Sequence, residues 1–175
     1  MQLSMFEEGE RRKERRYRGT LDQARDRVFA NLDNGSFCPC CGQFCKLYKR
    51  KLNSGMSAAL IWIVRRYERE RDWINVPRDA PRFVLRTKEY GTTRHWGLLM
   101  QKPHDPEDDD GQTKTSGLWK PTEKGIRFVH NRISIPKRVH LYNNQVLGWS
   151  EERITIEEAL GSPFNYAELM SRGEE

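Results

Sequence analysis

The sequence predicts a mixed α+β fold, and three observations carry that expectation. Apolar residues recur at helical spacing over 20–33 and again from Ser57, where Leu60, Ile63, Val64 and Tyr67 fall at i, i+3, i+4 and i+7. Farther along, Ile133, Ile135, Val139 and Leu141 alternate with polar residues up to Asn143-Asn144, as a half-buried strand entering a tight turn does. Glycines and prolines punctuate the stretch between at spacings that suit short elements. At 175 residues the chain suits one domain, or one domain with an appended module. Its 10% aromatic content can fill a small core, so the low apolar fraction of 36% still reads as globular.

Residues 1–19 read as a flexible basic arm, with Arg11, Arg12, Lys13, Arg15, Arg16 and Arg18 placed to grip phosphates or simply to solubilise. Thr20 caps a helix over 20–33, with Gln23 completing a capping box, and Leu21, Ala24, Val28, Ala30 and Leu32 follow at helical spacing. Asn34-Gly35 ends it. A cysteine knuckle occupies 37–46, followed by the basic stretch Leu47-Tyr48-Lys49-Arg50-Lys51. The next helix starts at Ser54 or Ser57 and carries Arg65, Arg66, Glu68, Arg69, Glu70 and Arg71 on its outer face.

Trp73 to Pro77 is a short extended piece, and Asp79 with Pro81 marks another helix start. Phe83, Val84, Leu85, Tyr90 and Trp96 are candidate buried positions. Gly91, about 1 kcal/mol worse than Ala inside a helix, suggests two short helices here. Gly97 to Met100 reads as a strand, His104 to Gly111 as an acidic turn, and Thr115 to Pro121 as the return strand. A short helix then carries Ile126, Phe128 and Val129. The hairpin closes through Asn143-Asn144 as a type I′ turn, with Val146 to Trp149 pairing back. Ser150 to Leu160 adds a strand or helix start, and Phe164, Tyr166, Leu169 and Met170 dock a C-terminal helix. The expected organisation is therefore an arm (1–19), a helix with the knuckle (20–53), a central domain with the added hairpin (54–149) and an acidic segment (150–175).

Formal net charge is +6, unevenly spread. Asp105, Glu107, Asp108, Asp109 and Asp110 crowd one loop, and acidic residues dominate after Val146, while the rest is basic. Basic clusters attract polyanions and acidic tips repel them, although a mixed solvated surface has the same composition. No run of 18 apolar residues occurs, so no membrane helix is expected. The charged N-terminus does not read as a secretory signal, which makes a cytoplasmic location the expectation.

Cys38, Cys40, Cys41 and Cys45 lie within eight residues, which fits an intracellular metal or redox site better than a disulfide framework. Cys38-Pro39-Cys40-Cys41-Gly42 has the CPxCG spacing of half a zinc ribbon, without a second cysteine pair later in the chain. Cys38, Cys41 and Cys45 with one histidine (His95, His104, His130 or His140) would make a Cys3His site, so Zn2+ is the candidate cofactor. Cys-Pro-x-Cys is also similar to glutaredoxin-like motifs, but a helix precedes it here and no βαβ pattern surrounds it. Packed reduced cysteines are the third reading. His104-Asp105 and His130-Asn131 are the only hints of a histidine-metal nuclease. No phosphate-cradling glycine loop, nucleophile elbow or catalytic carboxylate pair appears, so the chain reads as non-enzymatic.

From Ser57 the order is helix, extended piece, helix, helix ending in Trp96-Gly97-Leu98-Leu99, hairpin, then Leu118-Trp119-Lys120-Pro121-Thr122-Glu123-Lys124-Gly125. Over about 55–130 this resembles a winged helix-turn-helix domain of the MarR-like branch. The resemblance implies a recognition helix at about 85–96 in the major groove of double-stranded DNA, with Arg86, Lys88, Glu89, Thr92, Thr93 and Arg94 outward. It also implies a homodimer through terminal helices, here the helix at 20–33 and the patch at 164–170. One departure is the wing tip, Asp108-Asp109-Asp110-Gly111, where the family places a cation; the first cation after it is Lys114.

Lys46, Lys49, Arg50 and Lys51 would add phosphate contacts. Arg132, Lys137, Arg138 and His140, with Tyr142 nearby, form a substitute basic hairpin, or else an edge strand protected by its charges. A CPCCG segment ahead of a winged helix is similar to small bacteriophage and prophage proteins, which implies a role in the host-cell cytoplasm. The expected function is a non-enzymatic DNA-binding regulator. The alternative is an interaction module that inhibits a host or defence complex through Asp105 to Asp110 and the acidic run Glu151 to Glu158.

Overall fold

The computed structural model describes residues 17–103 and 117–171, a mixture of helices and small antiparallel sheets. They divide into two units. One comprises the described residues up to Lys49 with His140–Leu147; the other comprises Arg50–Val139 with the residues from Gly148. This division differs from the expected organisation in two places: the hairpin tip groups with the cysteine region, and the segment after 150 groups with the larger unit. The chain passes between units within strands β3 (Tyr48–Lys51), β8 (Arg138–Tyr142) and β9 (Gln145–Trp149).

In the smaller unit, α1 (Leu21–Phe29) starts with the predicted capping box: the Gln23 amide donates to Thr20 Oγ1 at 3.2 Å and the Thr20 amide to Gln23 Oε1 at 3.0 Å. The helix stops four residues short of the expected end. Asn31 turns the chain instead, its side-chain amide bonding the Arg27 carbonyl at 2.9 Å and its own carbonyl taking the Gly35 amide. Ala24, Val28 and Leu32 are buried as their spacing required, whereas Leu21 is 79% exposed. Strands β1 (Ser36–Phe37) and β2 (Phe44–Cys45) pair antiparallel on either side of the knuckle. Val28, Leu32 and Cys45 form a small core, with Cys38, Leu47 and Tyr142 packed on it. Asn143 and Asn144 both take positive φ, as a type I′ turn demands.

The larger unit is organised by α2 (Ser54–Glu70). Asn53 caps it through the Met56 amide at 2.8 Å, and Leu60, Ile61, Ile63 and Val64 are fully buried. Next come β4 (Ile74–Asn75), α3 (Val76–Asp79) and α4 (Arg82–Thr87). Asn75 caps α3, taking the Arg78 amide at 3.1 Å, and α4 starts directly after Pro81, where Asp79 and Pro81 mark a helix start in the sequence. Two short helices form as expected, but they divide at Lys88 rather than at Gly91, so the continuous recognition helix at 85–96 that the resemblance implied is not formed. Lys88 adopts a left-handed φ of 53°, and Glu89–Trp96 winds as a 3-10 helix. Gly97 then takes φ 69°, a conformation that favours glycine and lets the chain leave the helix for β5 (Leu99–Gln101).

Strand β6 (Leu118–Pro121) lies between β4 and β5, with Ile74 opposite Trp119 on one side and Gln101 opposite the same Trp119 on the other. Helix α5 (Glu123–Val129) follows directly. Strand β7 (Ile135–Pro136) pairs with β10 (Arg153–Ile154), and α6 (Ile156–Leu160) packs on α2. Helix α7 (Tyr166–Ser171) docks within the same chain: Phe164 packs on Phe83 at 6.1 Å, and the Tyr166 hydroxyl donates to the Val129 carbonyl at 2.8 Å. Among the described residues no helix is long and apolar enough to cross a membrane.

Candidate nucleic-acid interface

The surface of α4 and the 3-10 helix carries the residues that the sequence marks for DNA. Arg86, Lys88 and Arg94 are exposed, and Thr92 is half-buried. Thr93 is a correction. It is fully buried and its hydroxyl donates to the Tyr90 carbonyl at 2.6 Å, so it has no surface to offer. Glu89 is drawn inward by the Asn53 amide at 2.9 Å, which takes one carboxylate away from the three cations.

The base of this surface is built by two segments that meet across the sheet. Trp96 is buried and donates its indole N–H to the Pro136 carbonyl at 2.7 Å. The Lys124 ammonium caps the C-terminal end of the 3-10 helix through the Trp96 carbonyl at 2.7 Å. Thr122 donates its hydroxyl to the Gly97 carbonyl at 2.6 Å while accepting the Gly125 amide at 3.0 Å, so one side chain both ties the turn and caps α5. Gly125 lies so close to Leu98 that a Cβ would stand 2.1 Å from the Leu98 carbonyl oxygen. Trp96 to Leu99 and Thr122 to Gly125 are thus one interlocked piece. Lys124 and Gly125 stand in the sequence as an ordinary helix start, and only their spatial partner gives them these roles.

The remaining basic residues are less uniform. Arg50 and Lys51 are exposed on β3, and Arg132 is exposed after α5. Lys137 and Arg138 share the Glu152 carboxylate, and the two cations, Lys137 first, hold that carboxyl below its usual range. This pair is therefore already neutralised in part, which weakens the expected grip of the second hairpin. Glu157 bonds the Asn131 amide at 3.0 Å and Glu158 completes a capping box with Thr155. The acidic run Glu151 to Glu158 is thus largely used within the chain. Asp105, Glu107, Asp108, Asp109, Asp110 and Lys114 lie outside the described residues, as does most of the basic arm.

In the smaller unit Lys46 and Lys49 are exposed, Lys49 in an ion pair with Asp33 at 2.8 Å. The knuckle closes through two backbone bonds of 2.8 Å, Cys38 amide to Gln43 carbonyl and Gly42 amide to Cys38 carbonyl. The amides of Cys41 and then Cys40 point at the Cys38 sulfur and lower its pKa below that of an ordinary thiol. Cys40 moves the other way, through partial desolvation and then the neighbouring Cys38 charge. A short iodoacetamide pulse at about pH 7.5, read by peptide mass mapping, is therefore expected to label Cys38 ahead of Cys40 and of the buried Cys45. Equal labelling of Cys38 and Cys40 would refute the amide effect.

Among the described residues no three His, Cys, Asp or Glu side chains gather into a group that could hold a metal ion. Cys45, buried in the small core against which Tyr142 packs, donates to the Gln43 carbonyl at 3.6 Å, while Cys41 is exposed. Of the four histidines, His130 bonds Glu68 at 2.5 Å in the larger unit, which also holds His95; His104 lies outside the described residues; His140 shares the cysteines' unit.

Comparison with family models, curated proteins and solved structures finds no match for this chain.

Proposed function

We propose that the larger unit is a winged helix and that the protein is a non-enzymatic, double-stranded DNA-binding regulator of the bacteriophage or prophage type. The observation that carries this reading is the sheet order β4-β6-β5. A strand placed between the first helix and the α3–α4 pair joins the β5–β6 ribbon, so helices and ribbon form one scaffold beneath the exposed Arg86, Lys88 and Arg94. Among the described residues these three cations take part in no ion pair, unlike Lys137 and Arg138. They present charge to a phosphate backbone at little cost in broken contacts.

Fluorescence anisotropy with a mixed-sequence duplex tests the reading. Binding should fall steeply between roughly 50 and 200 mM salt. Arg94→Ala should weaken it by about 1–3 kcal/mol if Arg94 reads a base edge, and by less, uniformly across sequences, if it holds a phosphate. Absence of binding at the lower salt overturns the proposal.

A further inference from the structure

The smaller unit carries a second, chemically different surface. Between Asp33 and Glu68 the sequence contains no acidic residue. Within that stretch three aromatic rings stand in solvent: Phe37 at 49%, Phe44 at 47% and Tyr48 at 57% exposure. Phe37 and Phe44 are opposite one another across the β1–β2 pair, with ring centroids 5.2 Å apart. From Phe44 to Tyr48 burial alternates. Cys45 and Leu47 turn to the small core, while Phe44, Lys46 and Tyr48 are exposed. Phe44 ends the β1–β2 pair and Tyr48 opens the next strand, so ring, cation and ring come at every second residue, each exposed, with the core-facing residues between them.

Rings of this size in water would ordinarily be covered. Here nothing in the sequence around them is acidic and the residue between them is a lysine. We infer that this row is a binding site for single-stranded DNA, with Phe44 and Tyr48 stacking on unpaired bases and Lys46 holding the phosphate between them. Unpaired bases expose the faces that such rings need, whereas a duplex hides them in its own stack. Lys49 is less available than Lys46 because it is paired with Asp33. The inference goes beyond the duplex reading and uses none of its residues in the larger unit, so either can fail alone.

The test uses the full chain and a fluorescein-labelled single-stranded thymidine oligonucleotide at about 50 mM salt, with a duplex and a single-stranded RNA of equal length measured alongside. Phe44→Leu keeps an apolar side chain against Phe37, and Tyr48→Ser changes an exposed strand position; each should weaken single-strand binding about five- to a hundredfold. Tyr48→Phe, which keeps the ring, should bind as the parent does. Duplex affinity should stay within about twofold in all three variants, while Arg94→Ala should show the reverse pattern. No single-strand binding by the parent, unchanged binding in both ring-removing variants, or tighter binding to RNA than to DNA overturns the inference. Because Tyr48→Ser lies outside the β1–β2 pair, it remains informative if Phe44→Leu disturbs folding.

Discussion

Replacing Trp96 by alanine is expected to lower the stability of the larger unit by about 3–5 kcal/mol, the range for emptying a large aromatic from a packed interior. The side chain is 1% exposed, so nearly all its surface would become cavity wall. Its loss also strands the Pro136 carbonyl, which now accepts the indole N–H. A domain holds only about 5–15 kcal/mol in all, so the variant should be half-unfolded at a much lower urea concentration. Trp96→Phe, which keeps an aromatic ring but not the donor, should fall between variant and parent. Urea titration followed by circular dichroism measures both, and a shift below about 1 kcal/mol for the alanine variant would show that this site collapses without cost.

Gly125→Ala should cost about 3 kcal/mol, against the trend for a helix interior, where the same change usually stabilises by up to about 1 kcal/mol. The added methyl would meet the Leu98 carbonyl oxygen at 2.1 Å. That oxygen is backbone and cannot swing aside, because it already accepts the Thr122 amide at 3.0 Å. Relief therefore requires α5 to move off β5, which would break the Thr122 and Lys124 contacts together. Gly55, near the start of α2, is the control: its nearest neighbour is the Asn53 side chain at 3.4 Å, so Gly55→Ala should be neutral or mildly stabilising. Parallel urea curves for the two variants decide the matter; equal midpoints would mean that α5 shifts freely.

The features legible in the sequence are those set by neighbours in the chain. The Leu60, Ile63, Val64 stripe, the Thr20 capping box and the Asn143-Asn144 turn depend on local spacing and backbone preference, and all three form as expected. The continuous helix at 85–96 implied by the resemblance is instead two pieces, and the second is held by contacts both local and distant. Asn53 holds Glu89, Thr93 bonds its own turn, and Trp96 is fastened by Pro136 and Lys124. The cysteines show a different limit. Their spacing places four sulfurs close along the chain, but Cys45 sits in β2 facing the small core while Cys40 and Cys41 lie in the turn and face solvent. What Cys45 meets there is Tyr142, nearly a hundred residues away, and no local pattern announces it. The exposed rings Phe37, Phe44 and Tyr48 were in plain view as residues, yet a strand of two residues is too short to show which face each one takes.

The winding of Glu89–Trp96 also fixes a length. A 3-10 helix rises about 2.0 Å per residue against 1.5 Å for an α-helix, so these eight residues span about 16 Å rather than 12 Å. One end is anchored to the start of α2 by Glu89 and the other to α5 by the Trp96 carbonyl. Rewinding the segment as α-helix would shorten it by about 4 Å, more than either hydrogen bond can stretch. The two anchors therefore hold the segment as a spacer of set extension: Arg94 and Lys88 keep their separation along the axis unless one anchor lets go, and a nucleic-acid backbone that favours the shorter form would have to release Asn53 or Lys124 first.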